Sequence, residues 1–219
     1  MALTKVRGSG IDADGQEVIL DADADTSITA DTDDTINFKV GGSDRLTINS
    51  SGDIDVETGD IFFSSSGKGI NLGVTSNTDA NTLDDYEEGT FTFGSNANIG
   101  FVSNSNVGKY TKIGRMVHLQ YHIDISSVSS TNHFYMSGMP FTSGSATSNT
   151  YNGDSTGTCM IYNINTYWSG SQFCSYISTG STNMYFYETY DNSNWSIVTN
   201  SRILSSSELF VSHTYFTDS

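Results

Sequence analysis

The chain has 219 residues and a formal net charge of −16, with one proline, 21 glycines and two cysteines. No apolar run approaches the roughly 18 residues that span a bilayer, and an acidic chain repels nucleic acid and anionic lipid. Membrane insertion and nucleic-acid binding are therefore not expected. Ser, Thr, Asn, Asp and Gly dominate, a composition poor in helix formers and rich in turn formers, so the predicted class is all-β. Charge is uneven: residues 1–90 hold 19 acidic and 5 basic side chains, residues 91–219 only 6 and 4.

Residues 1–16 open with charges and no apolar core behind them, which is not the pattern of a secretory signal. They are expected to dock the protein to a larger particle. Residues 17–74 carry apolar beats six to ten residues apart: Val18/Leu20, Ile28, Ile36/Phe38, Leu46/Ile48, Ile54, Ile61/Phe63 and Ile70/Leu72. Ser51-Gly52-Asp53-Ile54 and Thr58-Gly59-Asp60-Ile61 repeat the theme of a glycine turn followed by a short strand, which predicts an elongated β-stalk. One copy of such a chain has too few large side chains to bury its own stripe. Three copies wound around a common axis would bury it, so an intertwined trimeric stalk is expected.

Within this stalk, Asp21, Asp23 and Asp25 have the spacing that opens a calcium loop. Thr26 stands where that loop needs glycine and Thr32 where it needs a bidentate Glu, so a solvated acidic face is expected and no metal centre. Residues 75–90, with Asp84, Asp85, Glu87 and Glu88 around Leu83 and Tyr86, read as a neck.

From 91 onward the strands lengthen. Between Arg115 and Ile125, Val117, Leu119, Tyr121, Ile123 and Ile125 fall on one face and Met116, His118, Gln120, His122 and Asp124 on the other, the pattern of a half-buried antiparallel strand. Further strands are predicted near 89–94, 107–113, 132–138, 157–167, 171–178, 183–189, 194–199 and 207–216, and together they predict a jelly-roll-like β-sandwich head. His118 and His122, four apart on a strand, stand about 13 Å apart and cannot share one metal ion. Cys159 and Cys174 match no zinc spacing and are expected as buried free thiols, with a disulfide as the alternative.

No nucleophile elbow, zinc-binding His-Glu-x-x-His or phosphate loop is present, so no enzyme activity and no cofactor are expected. Paired carboxylates that cleave polysaccharide would have to come from Asp124, Asp154, Glu188, Asp191, Glu208 and Asp218. Eleven of the twelve tyrosines and both tryptophans lie within 91–219. Aromatic faces stack on sugar rings while Asn and Ser bond hydroxyls, which makes Tyr167, Trp168, Tyr187, Tyr190, Asn192 and Trp195 the candidate receptor-binding residues.

Three stretches carry a family resemblance. They are Leu83-Asp-Asp-Tyr-Glu-Glu-Gly-Thr-Phe91, Gly108-Lys-Tyr-Thr-Lys-Ile-Gly-Arg-Met-Val117 and Met136-Ser-Gly-Met-Pro-Phe-Thr142. Together they resemble the C-terminal region of tail-fibre and virion structural proteins of tailed bacteriophages of marine and cyanobacterial type. The acidic segment Asp21–Asp34, running into Ile36-Asn-Phe-Lys-Val-Gly-Gly42, resembles their stalks. The resemblance implies a homotrimer on the exterior of the virion, with the N-terminus on a tail or capsid protein. The C-terminal head would be turned toward a host surface glycan or protein. It brings no catalytic residues with it. A structural head-fibre or decoration protein is the alternative, and a capsule-degrading spike the third reading.

Overall fold

The computed structural model describes residues 17–30, 32–72, 82–96, 99–129, 131–145, 153–166 and 169–218. The expected attachment segment 1–16 lies outside them. The chain divides into two compact units, residues 1–64 and 65–219.

The first unit is a five-stranded antiparallel meander of β1 (Val18–Ile19), β2 (Ser27–Thr29), β3 (Ile36–Val40), β4 (Ser43–Ile48) and β5 (Ile54–Val56), each strand paired with the next. Local sequence explains the turns. Gly41 and Gly42 have φ of +62° and +70°, as a two-residue hairpin requires at both central positions. The Asn49 side-chain oxygen accepts the N–H groups of Ser51 and Asp53, each at 3.0 Å, and Gly52 takes φ +86°. The Ser-Gly-Asp-Ile repeat is thus a turn that feeds a strand, as expected. The second beat, Ile61/Phe63, falls in a segment without strand structure.

Register aligns Val18, Ile28, Phe38, Leu46 and Val56 in one cross-strand row and Ile36, Ile48 and Ile54 in another, both on one face. That face is only partly covered: Ile36, Phe38, Val40 and Ile54 are exposed, whereas Ser27, Thr29 and Asn37 on the other face are buried. The strands pair within one chain, because short turns connect neighbours. The hydrogen bonding of the described stalk residues therefore does not call for the intertwining expected from the sequence.

In the second unit, β6 (Ile70–Asn71) pairs with β7 (Thr82–Leu83). Eleven further strands follow: β8 (Tyr86–Thr92), β9 (Gly94–Ser95), β10 (Ile99–Phe101), β11 (Val107–Ile113), β12 (Met116–Val128), β13 (Tyr135–Ser137), β14 (Ser155–Ile164), β15 (Gln172–Ile177), β16 (Asn183–Thr189), β17 (Ser196–Ile197) and β18 (Ile203–Phe216). They form one sheet in the order β8-β11-β12-β18-β14-β15-β16-β13-β9, with β10 added on β12 and β17 on β16. β8 and β9 stand at opposite ends of that order, yet Phe93 alone separates them in sequence. The chain itself ties the two ends together, and the sheet is nearly closed, like a barrel. This corrects the expected two-sheet sandwich: the alternation of each strand is as read, but the hydrogen bonds run around one sheet. Residues 86–90, read as neck, belong to β8.

Closure makes one side of every strand an interior. Val117, Leu119, Tyr121, Ile123 and Ile125 of β12 are all buried, as the alternation predicts. They meet Leu209, Val211 and Tyr215 of β18, Met184 and Phe186 of β16, Ile177 of β15, and Phe91 and Phe93 at the closure point. Each fully buried side chain of this size contributes about 1.5–3 kcal/mol. Phe93 lies 4.9 Å from the Tyr121 ring and 5.6 Å, edge-on, from Phe101, so the residue that closes the sheet also anchors its core.

Candidate ligand-binding face

Outward positions on β15, β16 and β13 are aromatic. In β16 the inward residues are Met184, Phe186 and Glu188, which leaves Tyr185 and Tyr187 outside; in β15 the same alternation turns Cys174 and Tyr176 outward. Register sets Tyr176 opposite Tyr185, and Tyr185 opposite Tyr135 of β13. The Tyr135 and Tyr185 rings lie 5.2 Å apart. Beside them Trp195, 60% exposed, stacks on Tyr187 at 4.9 Å and 29°, and meets Tyr176 edge-on at 6.2 Å. The result is a belt of five aromatic side chains across three strands and the segment before β17.

The belt is held from beneath. The Tyr176 hydroxyl donates to Asp154 at 2.6 Å, and the other Asp154 oxygen accepts the Thr179 N–H at 2.7 Å and the Thr179 hydroxyl at 2.9 Å. Burial pushes the Asp154 carboxyl up, but these three hydrogen bonds outweigh it and leave the group below its ordinary value. An ionised Asp154 thereby fixes the Tyr176 ring. At the Tyr135 end the belt borders a shallow polar depression of about 640 Å³ lined by Asn96, Asn132, His133, Tyr185 and Thr199. Asn96 is buried there, and its side-chain amide donates to the His133 carbonyl at 2.8 Å. Aromatic faces beside uncharged amides and hydroxyls suit a neutral, hydroxyl-rich ligand.

Of the residues singled out by sequence, Tyr187 and Trp195 come together as one stack. Tyr190 and Asn192 sit in the turn after β16, where the Tyr190 hydroxyl donates to Ser193 and Asn192 takes φ +58°. Tyr167 and Trp168 lie outside the described residues. Sequence reading missed Tyr135, Tyr176, Tyr185 and the Asn96 depression. The period-two alternation of 172–177 and 183–189 held the signal for Tyr176 and Tyr185. Asn96 and His133 are brought together only by the fold.

Titratable groups elsewhere are placed as follows. His118 is bonded to Thr214 at 3.0 Å, while His122 lies 3.2 Å from Asp124 and 3.4 Å from Glu208, a grouping with no counterpart in the sequence spacing. Of the six head carboxylates, Asp124 and Glu208 are direct cross-strand partners. Glu188 is buried against Arg202, and Asp218 pairs with Arg115 at 3.6 Å. Asp21, Asp23 and Asp25 approach one another on an exposed loop between β1 and β2 rather than on a strand. Cys159 and Cys174 are free, and they point to opposite sides of the sheet. No helix among the described residues is long and apolar enough to cross a membrane.

No protein-family model matches the chain, and no curated protein matches it. Part of the chain is similar in fold to the crystal structure of the Dettilon tailspike protein (gp208), with a TM-score of 0.49 and 17% sequence identity. The match covers 60% of this chain and 24% of the tailspike chain.

Proposed function

We propose that this chain is a fibre protein on the exterior of a tailed-phage virion, homotrimeric, which attaches the particle to its host by binding a surface glycan. The observation that carries this reading is the aromatic belt Trp195–Tyr187–Tyr176–Tyr185–Tyr135, left on the outside of the sheet and bordered at its Tyr135 end by amides and hydroxyls. The resemblance of Leu83–Phe91, Gly108–Val117 and Met136–Thr142 to phage fibre proteins supports the virion setting. The uncovered apolar face of the first unit supports assembly of several copies, which would add avidity to a weak single site. On this reading the N-terminal segment docks to a tail or capsid protein.

The test is binding of the purified full-length protein to an array of neutral hexose and N-acetylhexosamine glycans. Trp195→Ala and Tyr187→Ala should each weaken the bound signal about tenfold, the effect of losing roughly 1.4 kcal/mol of stacking. The exposed apolar faces also suit a second reading, a head-fibre or decoration protein that packs only on other virion proteins. That reading gains if no glycan is retained and the substitutions leave host attachment of whole particles unchanged.

A further inference from the structure

The outer face of β11, β12, β18 and β14 is a different surface from the aromatic belt. Phe210 on β18 is the cross-strand partner of both His122 and Met160, so one continuous row crosses three strands. Its side chains are apolar and uncovered: Val107 is 46% exposed, Phe210 42%, Met160 63% and Tyr162 65%. The His122 ring lies flat on Phe210, 4.2 Å away and 13° from parallel. Phe210 and Met160 form a ridge between two depressions. One, of about 630 Å³, is lined by Val107, Lys109, Gln120 and Thr158; the other, of about 440 Å³, by Tyr162 and Glu208.

Charge along this face is split. Asp124 and Glu208 oppose each other directly across β12 and β18, an unfavourable like-charge pairing, with the His122 ring nitrogen 3.2 Å from Asp124 and 3.4 Å from Glu208. Lys109 is exposed and makes no ion pair among the described residues. Its cross-strand partner Gln120 is four residues from Asp124, about 13 Å along the strand, too far for the two side chains to meet within one copy. The face thus holds a ridge and a groove, an unpaired cation and an under-neutralised carboxylate pair, each the complement of another.

We infer that this face is a contact between copies of the chain: the Phe210–Met160 ridge of one copy seats in the depression beside Lys109 of the next. Because Asp124 and Glu208 flank the ridge, seating it brings them to that Lys109. A head-to-tail contact of this kind closes into a ring of three where its rotation is 120°, and the inference rests on the homotrimer proposed above. It leaves the belt on β15, β16 and β13 free for ligand.

The experiment is zero-length carbodiimide cross-linking of the full-length protein, read by gel and by peptide mass, beside light scattering of the untreated sample. The expected result is a mass of three chains and covalent dimers and trimers joined through Lys109 and Glu208 or Asp124. Phe210→Glu should reduce that linked peptide at least tenfold, and Lys109→Gln, an exposed change that spares the core, should abolish it. A three-chain mass without this linkage, or with a linkage untouched by Phe210→Glu, overturns the assigned face and leaves the homotrimer standing. A single-chain mass overturns the homotrimer and this contact together.

Discussion

His213 shows how one side chain is fixed by its surroundings. It points into the closed sheet from β18, buried, between the hydroxyls of Ser155 at 2.9 Å and Ser175 at 2.8 Å. Gly157 makes room for the ring, since a Cβ there would lie 2.5 Å from the ring nitrogen Nδ1. Burial, with a smaller effect of His118, pushes the imidazole down to about 4 from an ordinary 6.5. The unfolded chain therefore binds a proton that the folded chain refuses between those two values. His213 favours the fold fully above about pH 6.5, and that contribution is lost as the pH falls to about 4, by about 3 kcal/mol in total. Urea unfolding at pH 7 and pH 4.5 should show this loss in the native protein and a clearly smaller one in His213→Gln. Equal losses in the two proteins would mean that other groups drive the acid sensitivity. Glu188 and Arg202 follow a different rule: both are buried, and each neutralises a charge that would be costly alone.

At the scale of elements, β8, β11 and β12 show why the segments 83–91 and 108–117 have their residues. Gly108 of β11 faces the Phe91 ring of β8, and a Cβ at 108 would come within 2.4 Å of that ring and 3.1 Å of the Tyr121 Cβ. Phe91 and Tyr121 meet edge-on at 6.0 Å above the glycine. Gly89 opens the same kind of space for Tyr110, whose hydroxyl donates to Glu87, and Lys112 reaches from β11 to Asp85. These segments are thus a packing code for three adjacent strands. Gly108→Ala should lower the unfolding free energy by about 1–3 kcal/mol, measured by denaturant titration, because the rings above it have no free space to enter. An unchanged midpoint would show that Phe91 swings aside at no cost.

At the scale of the whole molecule, one unit is a near-closed sheet with an aromatic core and the other a five-stranded meander with exposed apolar side chains on one face. A sheet that is apolar on one side needs a second layer against it. In the first unit the described residues supply none for Ile36, Phe38 and Ile54. If copies of the chain provide that layer, melting of the full-length protein should depend on concentration. Phe38→Asp should lower the melting temperature of the concentration-dependent transition by several degrees, followed by calorimetry at two protein concentrations. A melt independent of concentration, with Phe38→Asp neutral, would assign the face to another role.

Sequence alone determined the all-β class and the position of most strands, because period-two alternation in β12, β16 and β18 records which side each residue faces. It also located the glycine turn at Gly52, where left-handed φ admits few other residues, whereas the Gly41-Gly42 hairpin emerged only with the structure. From the candidate site it held Tyr187 and Trp195 as candidate receptor-binding aromatics, but not their stacking. Only tertiary structure decided that one sheet closes on itself through Phe93, because strand order depends on pairings between residues up to a hundred positions apart, such as Met116 with Phe216. The same long-range register gathered Tyr135, Tyr176 and Tyr185 into a belt and set Asp124 against Glu208. Alternation fixes the face a residue shows, and only closure of the sheet fixes its neighbours.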